Sequence, residues 1–415
     1  MRKSAACFLV AMALAASTDA MAAIGTIDAV PSSTLLLPYF EVDLLDTSGN
    51  GVNTLFTIQN ASATAVLAHV TYWTDLGVPT LRHNIYLTGF DQETVDLRET
   101  FQSGKLSRTA SVGQDPSGMI SPKGPYSQDI NFASCTGLLP PVDLTADELA
   151  QMAAAHTGSL VSFMGGCTAL DRGDNVARGY ITVDTVNNCT LRVPSDVGYF
   201  VSGGLGDATN QPVLVGRYAV TNRGQQQVWG DALTHVEASG TNPLTTTAGN
   251  RTFYGALLNA TAADNREPLA TSWAGRFFND PAGPGGNTEL VIWRDPDQPV
   301  TVFSCGNAPA WYPLGLNSVV AFDEQENVVS VAAPGSAAVP AVANRIAIGG
   351  AELPVPYASG WLSLDLNTAV VGGVFAYYQQ SSVTFVQRVT GSFAAGTSGL
   401  QLDNASDPNP PAINP

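Results

Sequence analysis

The chain has 415 residues, 45% of them hydrophobic and 13% charged, against roughly 25% charged for an average soluble domain. That length implies two or three domains and excludes a scaffold in which disulfides stand in for a core. The net charge is -17, and no block of Arg or Lys forms a basic stripe. This argues against nucleic acid as a partner and against an anionic membrane surface.

Met1-Arg2-Lys3, the apolar run from Ala5 to Ala16 and the small residues of Ala20-Met21-Ala22 have the three parts of a secretory leader. Residues 1–22 are therefore expected to be a signal peptide cleaved near Ala22, which sends the protein to the periplasm or outside the cell. Cleavage would leave 16 basic and 34 acidic residues, a net charge of -18. The apolar run is too short to cross a bilayer, and no later stretch reaches the roughly 20 apolar residues a membrane helix needs.

Thr34 to Tyr39, Thr54 to Ile58, Ala65 to Asp75, Asn84 to Phe90 and Glu93 to Leu97 read as five strands separated by turn residues. Ala65 to Asp75 is apolar on both faces, as a central strand would be. Five strands in about 70 residues leave no room for crossover helices. The expected fold is all-β, with two antiparallel sandwich-like, immunoglobulin-like domains. The first domain is assigned to residues 23–110, with 357–402 as a possible completion of its sheets. Residues 111–331 form a second β-rich domain carrying the cysteines.

One short covering helix is expected at about 146–156, because Thr145-Ala146-Asp147-Glu148 is a capping box and Gly158 follows as a stop. His156 in its last turn would suit the helix dipole as a cation. Strands then return at 160–164, 179–186, 213–221, 232–237, 253–258, 271–278 and 289–293. In 179–186, Ile181 and Val183 alternate with Tyr180, Thr182 and Asp184, which predicts one dry and one wet face. Residues 332–356 are rich in Ala, Pro and Gly and read as a linker with one strand at 345–348. Leu362, Leu364 and Leu366 alternate with polar residues, and the tail from 403 to 415 is expected to be disordered.

After processing, Cys135, Cys167, Cys189 and Cys305 remain, an even number that in an exported chain reads as two disulfides. Three pairings are open; the expectation is Cys135 with Cys167 and Cys189 with Cys305, since the first closes a compact local loop.

Catalytic motifs such as a G-x-S-x-G elbow, an H-E-x-x-H helix, a phosphate loop or a dinucleotide fingerprint are absent from the sequence. The four histidines, His69, His83, His156 and His235, have no second ligand at metal spacing and are read as structural. The carboxylates Asp264, Glu267 and Asp295 are the weak catalytic candidates, as a glycosidase-like pair of acids. Trp273 and Trp293 would be the sugar-stacking faces beside them. Asp171, Asp174 and Asn175, and Asp323, Glu324 and Glu326, are oxygen-rich clusters of the kind calcium prefers, although neither has EF-hand spacing. Calcium is the one cofactor the sequence offers. Arg172-Gly173-Asp174 needs no explanation beyond a turn.

The composition and missing motifs point to an exported structural, adhesive or ligand-binding protein without catalytic activity. The alternative is a carbohydrate-binding or carbohydrate-active protein using acidic loops and exposed tryptophans. Its partner would be a protein or a glycan, and assembly by strand addition is a further route.

Overall fold

The structure is a computed structural model that describes residues 30–108, 130–201, 206–258, 261–280, 286–296, 301–309, 319–331, 341–366, 370–371, 374–375, 380–388, 394–398 and 400–401. The expected leader, the tail from 403 and Trp311 lie outside the described residues.

Nine strands build the first half: β1 (Thr34–Asp43), β2 (Val52–Asn60), β3 (Val66–Thr74), β4 (Pro79–Leu87), β5 (Gln92–Asp96), β6 (Val176–Val186), β7 (Leu214–Asn222), β8 (Gln227–Ala232) and β9 (Thr234–Val236). They make two antiparallel sheets, ordered β4-β3-β6-β1-β9 and β5-β2-β7-β8. Their inner faces meet in one cluster, with Leu35, Leu37, Val70, Tyr72, Ile181 and Val183 against Phe56, Ile58, Tyr218 and Val220. At roughly 25 cal/mol per Å² of apolar surface removed from water, this burial is the main force holding the two sheets together. β1 is buried along nine of its ten residues. Its register with β6 shifts between Leu37 and Phe40, where Pro38 has no N–H to give to the ladder.

The remaining strands are β10 (Ser272–Asp280), β11 (Gly286–Arg294), β12 (Val319–Asp323), β13 (Val328–Ser330), β14 (Ala343–Ala347), β15 (Ser359–Asp365), the short pair β16 (Val370–Val371) and β17 (Val374–Phe375), β18 (Ser381–Arg388), β19 (Ala394–Ser398) and β20 (Leu400–Gln401). One layer runs β13-β12-β15-β10, with β20 also on β10; the other runs β14-β11-β18-β19, and β10 joins β11 at one end. Between the layers lie Trp273, Phe277, Leu290, Ile292, Leu362, Leu364, Val383 and Phe385. Gly275 on β10 is required there, because a Cβ at that position would come within 2.4 Å of the Phe385 ring.

The two sandwiches are welded together. Arg345 on β14 pairs with Glu41 on β1 at 2.9 Å, and Val342 and Ala343 donate backbone N–H to the Asp75 carbonyl. Trp293 on β11 stacks on Phe253 at 5.4 Å and meets Tyr180 of β6 edge-on at 6.0 Å. The face of β6 expected to be wet is therefore a second dry face: Tyr180, Thr182 and Asp184 are all buried. The alternation was legible, but a second layer of protein, which no local pattern reveals, takes the place of water.

Other expectations need correction. The N-terminal sandwich does not end near residue 110, since β6 sits between β1 and β3 and β6 to β9 complete its sheets. β15 and β18, from the stretch expected to complete it, belong to the second sandwich instead. The presumed linker is partly sheet, because β14 pairs with β11 over five residues and Ala341 to Ala343 are buried. Residues 160–164 form a turn rather than a strand, and Gly255–Leu258 is a short helical turn. The expected helix appears as α2 (Ala146–Thr157), with its capping box intact. A further helix precedes it, α1 (Leu97–Ser103), capped by Asp96 and ended by Gly104 in the left-handed region. Seven residues with three buried are too few to register as a helical stripe.

His156 is not a cation on the helix dipole. It is buried, bonded to Thr80 and to the Arg178 carbonyl, and desolvation holds it down to about 4. The disulfides are Cys135–Cys189 and Cys167–Cys305, closing loops with sequence separations of 54 and 138. The loops interleave, whereas the expected pairing was sequential. Local proximity misled because the chain passes through the whole of β6 before Cys189 returns beside Cys135. On the chain-entropy model such loops contribute about 4–5 kcal/mol each, less any native strain.

Peptide mapping without reduction should find Cys135 linked to Cys189 and Cys167 to Cys305; any other linkage contradicts this topology. A second expectation concerns His83, which is buried with no hydrogen-bond partner on either ring nitrogen and is held down to about 3 by desolvation. Below pH 6.5 the unfolded chain takes up that proton first, so the wild type loses stability as pH falls from about 6.5 toward 3. His83→Leu should raise unfolding free energy by about 1 kcal/mol or more at pH 7, and by more at pH 5. Urea titrations at both pH values measure this, and a destabilised variant would contradict it.

Candidate functional site

The buried polar groups around Asp184 are consumed by structure. Pairing places His69, Asp184 and Thr34 in one row across β3, β6 and β1. The Asp184 carboxylate accepts from Thr34 and from the hydroxyls of Tyr199 (2.6 Å) and Tyr254 (3.0 Å). Arg266, fully buried, lies 3.8 Å from Asp184 and donates to Thr34, Asn210 and the carbonyls of Asp264 and Thr209. His69 sits between Asn84 and the Arg192 carbonyl. Desolvation drives it below its ordinary pKa.

The three candidate acids do not share one environment. Burial pushes Asp264 up to about 6, the range of a general acid. Yet it is 1% exposed, and its oxygens accept the backbone N–H groups of Tyr254 (2.6 Å) and Arg266 (2.9 Å). Asp295 is 9% exposed and accepts from Gln380 at 2.7 Å. Gln380 in turn donates to the carbonyls of Thr252 and Phe253, so both acids anchor the same stretch, 252–254, from within the core. Glu267 is exposed, and partial desolvation with the nearby Glu237 raises its pKa.

The calcium candidates are likewise engaged. Asp174 chelates Arg178 with two 2.8 Å bonds, and Asp171 caps its own turn through Gly173. The Asn175 carbonyl accepts from Leu44. Asp323 organises the β12–β13 turn by accepting from Gln325 and Asn327, bonds that hold its carboxyl below the usual range. Glu324 pairs with Arg276 at 2.6 Å, and Glu326 lies in the same turn with a positive φ. Among the described residues no group of three His, Cys, Asp or Glu is placed to hold a metal ion.

The tryptophans give the clearest surface feature. Trp273 and Trp293, the expected stacking residues, are 0% and 3% exposed; Trp273 fills the second core and donates to Ser381. Trp73 and Trp229 are also buried, whereas Trp361 is 47% exposed. On β15, Leu362 and Leu364 point into the core, which turns Trp361 and Ser363 outward. Paired residues share a face, so the register sets Arg276, Trp361, Phe322 and Val328 in one row across β10, β15, β12 and β13. Val328 is 58% exposed, and Phe322 and Phe278 are half-buried. The Arg276 guanidinium lies 5.6 Å from the centre of the Phe278 ring. Gly360 makes the close approach of β15 and β12 possible, because a Cβ there would fall 1.8 Å from the Phe322 carbonyl oxygen.

The result is an outward sheet face with an aromatic and aliphatic row, one neutralised ion pair and serines on the flanks. Such a surface can hold a flat, partly apolar partner by dispersion and water release. A separate groove of about 520 Å³ runs along β2, β7 and β8 past Thr57, Gln59, Arg217, Asp231 and His235. It offers hydrogen bonds without an exposed aromatic; His235 there accepts from the Gly216 amide at 3.3 Å. No protein-family model, curated protein or solved structure matches the chain.

The burial contrast is testable. Trp273→Ala should destabilise by about 3–5 kcal/mol through lost transfer energy and a cavity. Trp361→Ala should stay within about 1 kcal/mol of the wild type, as most surface substitutions do. Urea unfolding of both variants checks this, and equal losses would contradict the assigned faces.

Proposed function

We propose that the protein is an exported, non-catalytic adhesive or binding protein whose contact surface is the outer face of β13, β12, β15 and β10. The observation that carries this reading is Trp361, half exposed in line with Phe322, Arg276 and Val328 while Trp73, Trp229, Trp273 and Trp293 are buried. Trp361 and Val328 expose apolar surface on either side of the half-buried Phe322, and contiguous apolar surface is characteristic of faces that meet a partner. The two disulfides and the leader-like start support export to an oxidising compartment. Asp264 and Asp295 support binding over hydrolysis, since each is committed to internal hydrogen bonds. Assembly by strand addition is the second reading. It would use β13, a three-residue strand that pairs with β12 alone among the described residues.

The test is co-sedimentation of purified mature protein with the envelope fraction of the producing cell. Tryptophan at the centre of a contact commonly carries about 2 kcal/mol or more. Trp361→Ala should therefore weaken association by roughly 30-fold while leaving thermal unfolding unchanged. Equal retention of variant and wild type would remove this face as the contact surface.

A further inference from the structure

We propose that the Trp361 face binds an uncharged polysaccharide, laid across the strands along the row Arg276, Trp361, Phe322 and Val328; this rests on the reading of that face as the contact surface. The first argument is spacing. Adjacent strands lie about 4.8 Å apart, so the row from β10 to β13 offers a contact every strand, over about 14 Å in all. That interval is close to the length of one pyranose unit in an extended chain, so successive rings meet successive side chains. The register that fixes the row is given by the pairs Arg276 with Trp361, Trp361 with Phe322 and Phe322 with Val328.

The second argument is charge. Arg276 is the cation of the row, and Glu324 neutralises it at 2.6 Å with both side chains on the surface. The chain as a whole carries -17, which repels polyanions at long range. An acidic glycan therefore has no charged anchor here, whereas the C–H faces of neutral sugars find aromatic carbon. The parallel row of Ala274, Ser363, Val320 and Ser330 sets two serines beside the aromatics on the same sheet face.

The third argument is area. A stable protein contact buries about 800 Å² on each side and engages 20 to 30 residues. Among the described residues the apolar groups of this face are Trp361 and Val328, with parts of Phe322, Phe278, Val320 and Ala274, bordered by serines and an ion pair. That is a narrow strip, which suits a chain one sugar wide better than a second copy of the protein.

Native affinity electrophoresis at pH 7 tests the assignment, with laminarin, mannan or xylan cast in separate gels and alginate as the polyanion. The wild type should be retarded by at least one of the neutral polysaccharides and pass freely through alginate. Trp361→Ala should lose at least 10-fold in that affinity, and Trp361→Phe should recover part of it. Retardation by alginate alone, or equal retardation of Trp361→Ala, overturns the proposal. So does a Trp361-dependent dimer in sedimentation equilibrium, which would make a second copy the occupant. If no neutral polysaccharide retards the protein while envelope association still depends on Trp361, the glycan assignment falls and the contact surface stands. Loss of both dependences removes both.

Discussion

A guanidinium with no access to water must find partners for its five N–H groups, and the fold is arranged around that requirement at Arg266. Its donors reach Thr34, Asn210 and two backbone carbonyls, and its charge faces Asp184 at 3.8 Å. Phe200 closes the remaining side, with its ring 4.8 Å from the guanidinium carbon. Breaking such a buried pair by removing one partner typically costs about 3–5 kcal/mol, although the pair itself adds little net stability. Its structural effect is to pin residues 252–258 and 261–266 over the polar face of β6 and β1. That covering turns a half-wet sheet into one buried on both sides, and the second sandwich rests on the result through Trp293, Phe253 and Tyr180.

The local periods of the chain carried most strands of the first sandwich and the capped helix, because each depends on neighbours within a few residues, whereas β8 falls between the expected strands. The central position of β3 was also legible, since both of its faces are apolar. What was not legible depends on distant chain. The Asp184 face of β6 reads as wet until Tyr254, Arg266 and β11 are laid over it. Trp293 shares its strand face with Glu289, a pattern that signals solvent. In the folded chain that face is the junction, where Glu289 meets Arg345 at 3.5 Å and Trp293 meets Phe253. The interleaved disulfides have the same origin, since their partners are set by sheet order.

The expectation placed the stacking role on Trp273 and Trp293, yet the alternation on β15 held the signal for Trp361. Leu362, Leu364 and Leu366 define the inward face of β15, which leaves Trp361 outward with Ser363 and Asp365. Its neighbours Phe322 and Arg276 were not readable, because they come from strands about 40 and 85 residues away and only register brings them into line. The acidic loops drew attention as candidate chemistry for the opposite reason: they are rich in charge along the chain. Folded, those charges cap turns or pair internally at Asp171, Asp174, Asp323 and Glu324. Charge density in a loop is a weak guide to a site when the same groups satisfy their own backbone.

The account depends on the division, among the described tryptophans, between Trp73, Trp229, Trp273 and Trp293, spent on packing, and Trp361, turned to solvent. Acrylamide quenching of tryptophan fluorescence in a Trp311→Phe background measures that division directly. One readily quenched component should be present, and it should disappear when Trp361→Phe is added. A quenched fraction that survives this second substitution would place another indole at the surface and contradict the assignment of the binding face.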